Sequence, residues 1–168
     1  MALRCEATAH LASSPEQLRD ELVKLADAPD PQLRFAALRT LAYHQVRAAG
    51  PLLVRRVSDP SFHQLPPEER RELMAALHSL HPARAESLAI EIVQKHGLLA
   101  DDAVDQTRAI CAELLGRESK SPEALDAVVG ATRRRPWNSA LLRDAAAIAA
   151  EPIAKRLGKR ITASGEIQ

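Results

Sequence analysis

Residues 27–41 read DAPDPQLRFAALRTL, a turn that contains two prolines followed by a helical pattern. Asp30 stands where a helix N-cap is expected. Pro31 stands at the first helical position, where its missing N–H leaves no hydrogen bond unmade. Apolar residues then recur at helical spacing and share one face: Leu33, Ala37 and Leu41. The segment therefore predicts a tight turn, a capped helix start and an amphipathic helix.

Arginines near the start of such patterns recur along the chain. They follow one another at intervals of 30, 37, 37 and 35 residues: Arg4, Arg34, Arg71, Arg108 and Arg143. A nearly constant period in this range is typical of helical repeat proteins, in which each helix pair buries its apolar face against its neighbours. The sequence therefore predicts an all-α fold of roughly nine helices arranged as pairs.

The amino-acid composition also favours helices. Hydrophobic residues make up 46% of the 168 residues and charged residues 27%, which is a globular balance, whereas aromatic residues make up only 2%. The core must then be built from Leu, Ile, Val and Ala. Such a core suits close helix–helix packing, since strands are usually enriched in aromatic and β-branched residues.

We expect a single domain over residues 1–160, followed by a frayed tail over residues 161–168. Residues 136–138 are predicted to open the last long helix, and Pro152 to kink or end it near the preceding residue. Residues 2–12 match the second helix of a pair that has no first helix before it. We therefore expect the native protein to extend upstream, or the chain to be part of a longer one.

The charges of the chain are unevenly distributed. The net charge is only +1, but residues 131–168 contain eight Lys and Arg against three acidic residues. The C-terminal part is therefore basic, and the rest of the chain is slightly acidic. A gradient of this size favours solubility and steers a charged partner weakly.

The cysteines and the N-terminus indicate the compartment. Cys5 and Cys111 are isolated in sequence, which argues against a disulfide framework and indicates a reducing environment. No apolar run follows Met1, and the apolar residues 145–150 are too few to span a bilayer. We therefore expect a cytoplasmic protein without membrane contact.

The paired-helix pattern resembles the HEAT repeats of bacterial proteins, in particular the PBS-lyase HEAT-like group. In that family an Asp/Pro turn ends the first helix of each pair. The second helix begins with a hydrophobic residue, an arginine and small residues. Residues 27–41 are the clearest copy, residues 142–149 keep its spacing, and residues 102–116 and 70–80 diverge further. The resemblance covers roughly residues 2–150 and implies a right-handed α-solenoid of about four and a half HEAT-like helix pairs.

The resemblance also implies a ladder in which the turn acid of a repeat bonds the arginine of the second helix. Carried over to this chain, Asp27 or Asp30 would pair with Arg34, and Asp102 would pair with Arg108. Charge-assisted hydrogen bonds of this kind would fix one repeat against the next. The expected structural ladder comprises Asp30, Arg34, Arg71, Asp102, Arg108 and Arg143.

Two positions depart from that ladder. The acids that precede Arg71 are residues 68–69, in place of an Asp/Pro turn, and Trp137 and Asn138 stand where Arg143 would need an acid. An anion-binding stripe is the alternative interpretation of the arginine series. The structural ladder is favoured because the arginines follow the packing motif.

Two segments are candidates for contact with a partner. The first combines cations that neutralise phosphates with an indole that can stack on a base: Arg133, Arg134, Arg135 and Trp137. HEAT-like DNA glycosylases, which the fold resembles, bind DNA on a cationic surface. The alternative is a solvated helix end, where cations offset the helix dipole. The second segment is the loop with Phe62 and His63, which either contacts a partner or folds back onto the stack.

The sequence gives little indication of a metal site or of a catalytic site. His78 and His81 are three residues apart, as metal ligands can be, but no third ligand is suitably spaced, so surface or capping histidines are favoured. The sequence contains no nucleotide-binding glycine loop and no nucleophile elbow. We therefore expect no catalytic residue, no cofactor and no metal.

These patterns favour a non-catalytic scaffold that binds another protein along its concave, second-helix surface. Stacked repeats present an extended curved surface without a deep pocket. Nucleic-acid binding through the basic C-terminal region is one alternative. An accessory or lyase-type subunit is another, which the resemblance to HEAT-like lyase subunits permits.

Overall fold

The computed structural model describes residues 17–95, 101–162 and 167–168, with side chains described from residue 19 onward. Within these residues the chain forms eight α-helices, and its only β pairing is one isolated antiparallel bridge. The predicted all-α class is confirmed. The ninth helix, predicted over residues 2–12 and containing Arg4, lies outside the described residues. The helices are α1 (Gln17–Leu25), α2 (Pro31–Tyr43), α3 (Gly50–Ser58), α4 (Pro67–Leu80), α5 (Pro82–Gln94), α6 (Asp102–Glu118), α7 (Pro122–Thr132) and α8 (Ala140–Arg156).

Helix starts follow local capping chemistry. Asp30 Oδ1 accepts a hydrogen bond from Gln32 N at 2.9 Å, which confirms the predicted start of α2. Ser121 Oγ accepts from Ala124 N at 3.2 Å at the start of α7. A capping oxygen satisfies one of the backbone N–H groups that a helix leaves unpaired at its N-terminus.

The last helix begins later than predicted and does not end at Pro152, whereas the kink that was the alternative there stays a prediction. It begins after Ser139, whose Oγ accepts a hydrogen bond from Leu142 N at 3.2 Å, so residues 136–138 precede α8. Pro152 lies inside the helix, which continues for four residues beyond it. The helix tolerates the missing backbone hydrogen bond because residues 153–154 are buried, and leaving the helix there would expose them.

The chain divides into two compact units, Met1–Ala85 and Glu86–Gln168, and α5 begins in the first and ends in the second. In the first unit α2 packs against α1 and α4, and α3 packs against α4. The second helix of one predicted pair therefore contacts the second helix of the next pair. The core between them is aliphatic and at most 1% exposed: Leu22, Leu38, Leu41, Leu53, Leu73 and Leu77.

The second unit has the same local arrangement, because α6 and α7 both pack against α8. Gly116 of α6 lies so close to α8 that an added Cβ would be 2.8 Å from the Cα of Ala149. Its core is again aliphatic: Ile110, Leu115, Leu125, Val128, Leu142 and Ile153. Each unit thus contains the contact between successive second helices that a repeat requires. The continuous right-handed solenoid and the single domain over residues 1–160 stay predictions.

The C-terminal residues are paired rather than frayed where they are described. Arg160 N donates to Gln168 O, and Gln168 N donates to Arg160 O, both at 2.9 Å. Ile161 and Ile167 form the isolated bridge beside these bonds. The predicted fraying of residues 161–168 is therefore wrong for the described part, because backbone hydrogen bonds tie its two ends together.

Two observations bear on the compartment. Cys111 is buried in α6 and forms no disulfide within the described residues. Among the described helices, none combines the length and the apolar character needed to cross a membrane. The cytoplasmic location stays a prediction.

Candidate functional site

Arg34 joins successive second helices in the first unit. Its Nε and Nη2 each donate to one carboxylate oxygen of Glu69 at 2.7 Å, and its Nη1 donates to the carbonyl oxygens of Ala28 and Pro29 at 2.8 Å. Glu69 belongs to α4 and is only 1% exposed. The partner of Arg34 is therefore Glu69, and the expected pairing with Asp30 is wrong because the Asp30 carboxylate caps α2.

Arg56 of α3 adds a second cation to the same carboxylate. Its Nη2 donates to Glu69 Oε1 at 3.2 Å, and its Nη1 donates to Ala26 O at 2.7 Å. Asp27, the other turn acid, lies 3.4 Å from Arg56 Nη1. One buried carboxylate thus receives two guanidinium groups from two helices. Desolvation of a carboxylate is costly, so such a cluster is stable only when it is fully paired.

From the sequence, Glu69 was considered only as an acid near Arg71, and Arg56 was not identified. Glu69 precedes Leu73 by four residues and Leu77 by eight, so it continues the apolar stripe of α4. A charged residue on a buried helical face is a recognisable signal for a paired side chain. Arg56 carries no such signal, since cations are expected in the last turn of a helix.

The arginine that is buried at the start of α4 is Arg70 and not Arg71, the residue that the spacing had indicated. Arg70 is 2% exposed, whereas Arg71 is exposed on the other side of α4. Arg70 follows the first residue of its helix by three positions, as Arg34 and Arg143 do in theirs. Spacing along the sequence could not distinguish two adjacent arginines, because a helix rotates by about 100° per residue and only the packing fixes which one is buried.

Arg108 of α6 joins its helix to α5 and to the segment that precedes α8 in the second unit. Its Nε and Nη2 donate to Val93 O at 3.2 and 3.1 Å. Its Nη1 donates to Asp105 Oδ1 at 3.0 Å and to Trp137 O, and its Nη2 also donates to Asn138 Oδ1 at 2.9 Å. These five bonds match the five N–H groups of a guanidinium. Arg108 is 2% exposed, so this buried cation is fully satisfied.

The remaining ladder residues are placed as follows. Asp102 is exposed in the first turn of α6, and the acid that pairs with Arg108 is Asp105 one turn later, so the expected Asp102–Arg108 pair is wrong. Arg143 Nη1 donates to Asn138 O at 2.6 Å, so a backbone carbonyl stands where the family pattern would have an acid.

The hydrogen bonds of Arg34 and Arg108 argue against the alternative in which the arginine series binds anions. A cation that binds a free anion needs N–H groups directed to solvent. Arg108 has none left, and Arg34 has four hydrogen bonds to protein oxygens. These two arginines therefore hold helices together and do not form an exposed row.

The structure also shows where the loop residues Phe62 and His63 and the histidine His81 lie. Phe62 lies in a short 3₁₀ helix, Pro60–Gln64, and is fully buried, so the loop folds back and Phe62 is not a surface for a partner. His63 beside it is half-buried. His81 Nε2 lies 3.1 Å from Arg47 O. In the described ranges no cluster of three potential metal ligands occurs.

The basic run precedes α8. The side chains of Arg133, Arg134 and Arg135 are all exposed. The guanidinium carbon of Arg135 lies 5.5 Å from the ring centroid of Trp137, a distance at which cations are attracted to an indole face. Trp137 is half-buried, and its ring already has a cation over one face.

A small cavity near this run bears on the lyase-type alternative. It has a volume of about 170 Å³, and its lining includes Arg108, Asp126, Trp137 and Asn138. Two of its polar side chains are already hydrogen-bonded within the protein: Asn138 Oδ1 accepts from Arg108, and Asn138 Nδ2 donates to Arg133 O at 3.0 Å. The cavity is smaller than a typical ligand pocket of about 300–1,000 Å³.

The exposed side of α8 was not identified from the sequence. Two large apolar side chains on this side are exposed to solvent: Ile148 is 78% exposed and Leu141 is 52% exposed. They are seven residues apart and therefore share a face. We call the exposed side of the helix the open face of α8; it comprises Leu141, Asp144, Ala147, Ile148, Glu151 and Lys155. The seven-residue spacing of two large apolar residues, each directly followed in sequence by a buried residue (Leu142 and Ala149), was the available signal.

A groove adjoins this face. We call it the C-terminal groove; it lies between α7, α8 and residues 158–162 and has a volume of about 780 Å³. Its apolar lining includes Val129, Ala150, Ala154 and Ile161, and its charged lining comprises Glu151, Lys155, Lys159 and Arg160. The open face and the groove share Ala147, Glu151 and Lys155. Together they form one continuous surface that combines apolar residues with two acids along the helix and is basic at its C-terminal end.

No family model matches the chain, and comparisons with curated proteins and with solved structures also find no match. The HEAT-type resemblance therefore stays a prediction.

Proposed function

We propose that the chain is a non-catalytic HEAT-type repeat scaffold that binds another protein through the exposed sides of its second helices. The open face of α8 would be the main contact. The proposal includes the continuous solenoid and the cytoplasmic location, both of which stand as expectations from the sequence. Stacked repeats are suited to this role because they present extended surfaces without a deep pocket.

The observation that carries the proposal is the exposure of Leu141 and Ile148. The other large aliphatic residues named in both cores are at most 3% exposed. An exposed apolar stripe beside polar residues is typical of a protein-binding surface. The location of the stripe on a second helix agrees with the surface expected from the repeat pattern.

A photo-reactive amino acid at position 148 tests the proposal in cells of the native host. The matched control carries the same group at position 123, where Glu123 is exposed on α7, a first helix. We expect protein adducts from position 148 that are absent from position 123. Equal adducts from the two positions, or none from either, would argue against a protein-binding face on α8.

A second candidate function is nucleic-acid binding through Arg133, Arg134 and Arg135. Three adjacent exposed cations favour it, because phosphate contacts supply most of non-specific binding. The cation over Trp137 does not favour it, because that face of the ring is not open to a base. A gel shift with duplex DNA at two salt concentrations tests it, and binding that weakens steeply with salt would support it.

A further inference from the structure

We propose that the open face of α8 and the C-terminal groove together bind an acidic, amphipathic helix of a partner protein. The inference rests on the proposed function, because it names the partner chemistry of the same surface. It follows from three properties of the described residues: the length of the face, the distribution of its charges and the small size of the residues along the groove.

The length of the face suits a helix. Leu141 and Lys155 are separated by fourteen residues of α8, which corresponds to about 21 Å. A compact ligand would be enclosed on most sides, whereas this surface is open along the helix. Helices that bind in grooves do so through apolar residues at successive turns, which Leu141 and Ile148 would contact.

The residues along the groove allow a close approach. Ala147, Ala150 and Ala154 recur along one side of α8, and Gly158 follows the helix. Small side chains let the axis of a second helix come close, so that its larger apolar residues fill the available volume. The partner helix should therefore carry large aliphatic residues on one face.

The charges of this surface determine which end of the partner helix should be acidic and which end should be basic. Lys155, Lys159 and Arg160 lie at the C-terminal end of the surface, and none of them forms a salt bridge within the described residues. Asp144 and Glu151 lie nearer the start of α8 on the same face. Acidic residues of the partner would therefore lie over the three cations, and basic residues at its other end would lie near the two acids.

The experiment measures fluorescence anisotropy of two labelled peptides with the full chain. Each peptide has about 15 residues, enough to span the face as a helix, with leucines on one side. The acidic peptide carries glutamates at one end, and the basic peptide carries lysines at the same positions. The protein variants are Lys155→Glu/Lys159→Glu and, as a control of equal charge change, Arg117→Glu/Lys120→Glu. All four substituted residues are exposed, and thermal melting checks that each variant folds.

We expect the acidic peptide to bind the native chain more tightly than the basic peptide. Lys155→Glu/Lys159→Glu should weaken it by about tenfold and strengthen the basic peptide, while the control changes neither by more than about twofold. Ile148→Asp should weaken both peptides.

Equal binding of the two peptides, or equal loss in the control, would overturn the inference. So would loss of duplex DNA binding in Lys155→Glu/Lys159→Glu without any peptide binding, which would assign the cations to nucleic acid. Protein adducts at position 148 without acidic-peptide binding would refute the inference and leave the proposed function standing.

Discussion

Glu69 is the residue on which the polar contacts of the first unit converge. It receives the fork of Arg34 from α2 and one N–H of Arg56 from α3, while its own backbone belongs to α4. Its side chain is 1% exposed, so each oxygen depends on these donors and not on water. A single carboxylate therefore links three helices, and the link is strong because removing one partner leaves a charge buried and uncompensated.

Glu69→Ala should lower the free energy of unfolding by about 3 kcal/mol, because Arg34 and Arg56 would lose their common counter-charge. Glu72→Ala is the matched control. Glu72 pairs with Arg39, whose side chain is 68% exposed, and an exposed pair contributes about 0.5 kcal/mol. Urea unfolding of both variants measures the difference. Equal losses in the two variants would show that Glu69 has no special role.

Arg108→Ala should lower the free energy of unfolding by about 3 kcal/mol, because buried acceptors such as Val93 O would lose their donor. Arg117→Ala, an exposed residue of the same helix, should change it by less than about 0.5 kcal/mol. Binding of heparin, a polyanion, should be the same in Arg108→Ala as in the native chain. A lower heparin affinity with unchanged stability would instead support the anion stripe.

The start of α2 was predictable from the sequence because its chemistry is local. Asp30 caps this helix as expected, through a hydrogen bond to the residue two positions away. The effect of Pro152 was not predictable, because the burial of residues 153–154 depends on how α8 packs in the second unit. The pairing of Arg34 with Glu69, 35 residues away, needed the register between two helices, which local patterns do not contain.

The contact between α6 and α8 depends on Gly116. An alanine Cβ there would lie 2.8 Å from both Cα and Cβ of Ala149, so one helix would have to shift. Gly130 in α7 offers the matched control, because an added Cβ would meet nothing within 4 Å. The two glycines thus differ in packing although both lie within helices.

Gly116→Ala should destabilise the chain by about 1–2 kcal/mol, since overpacking outweighs the gain in helix propensity. Gly130→Ala should stabilise it by about 0.5–1 kcal/mol, because alanine restricts the unfolded chain more and favours the helix. Thermal unfolding of the two variants gives the signs. Stabilisation by both substitutions would mean that α6 and α8 do not approach closely at this site.

At the scale of the whole molecule, the two units share one packing rule. Second helices contact each other, α2 with α4 in the first unit and α6 with α8 in the second. Arg34 reinforces that rule in the first unit through its bonds to Glu69 of α4. The basic residues concentrate near the end of the chain. The sequence predicted the all-α class and the basic C-terminal end. It did not reveal the open face of α8, because exposure of Ile148 depends on which side of the helix the core covers.

Ile148→Asp and Glu123→Ala give the most direct comparison for a protein-binding face on α8. Both residues are exposed, so neither change should alter the melting temperature appreciably. The measurement is the affinity of each variant for the protein cross-linked from position 148, determined by titration calorimetry. Ile148→Asp should weaken binding by about a hundredfold, as loss of a central apolar contact does, and Glu123→Ala should leave it unchanged. Full affinity in Ile148→Asp would contradict a scaffold that binds its partner through α8.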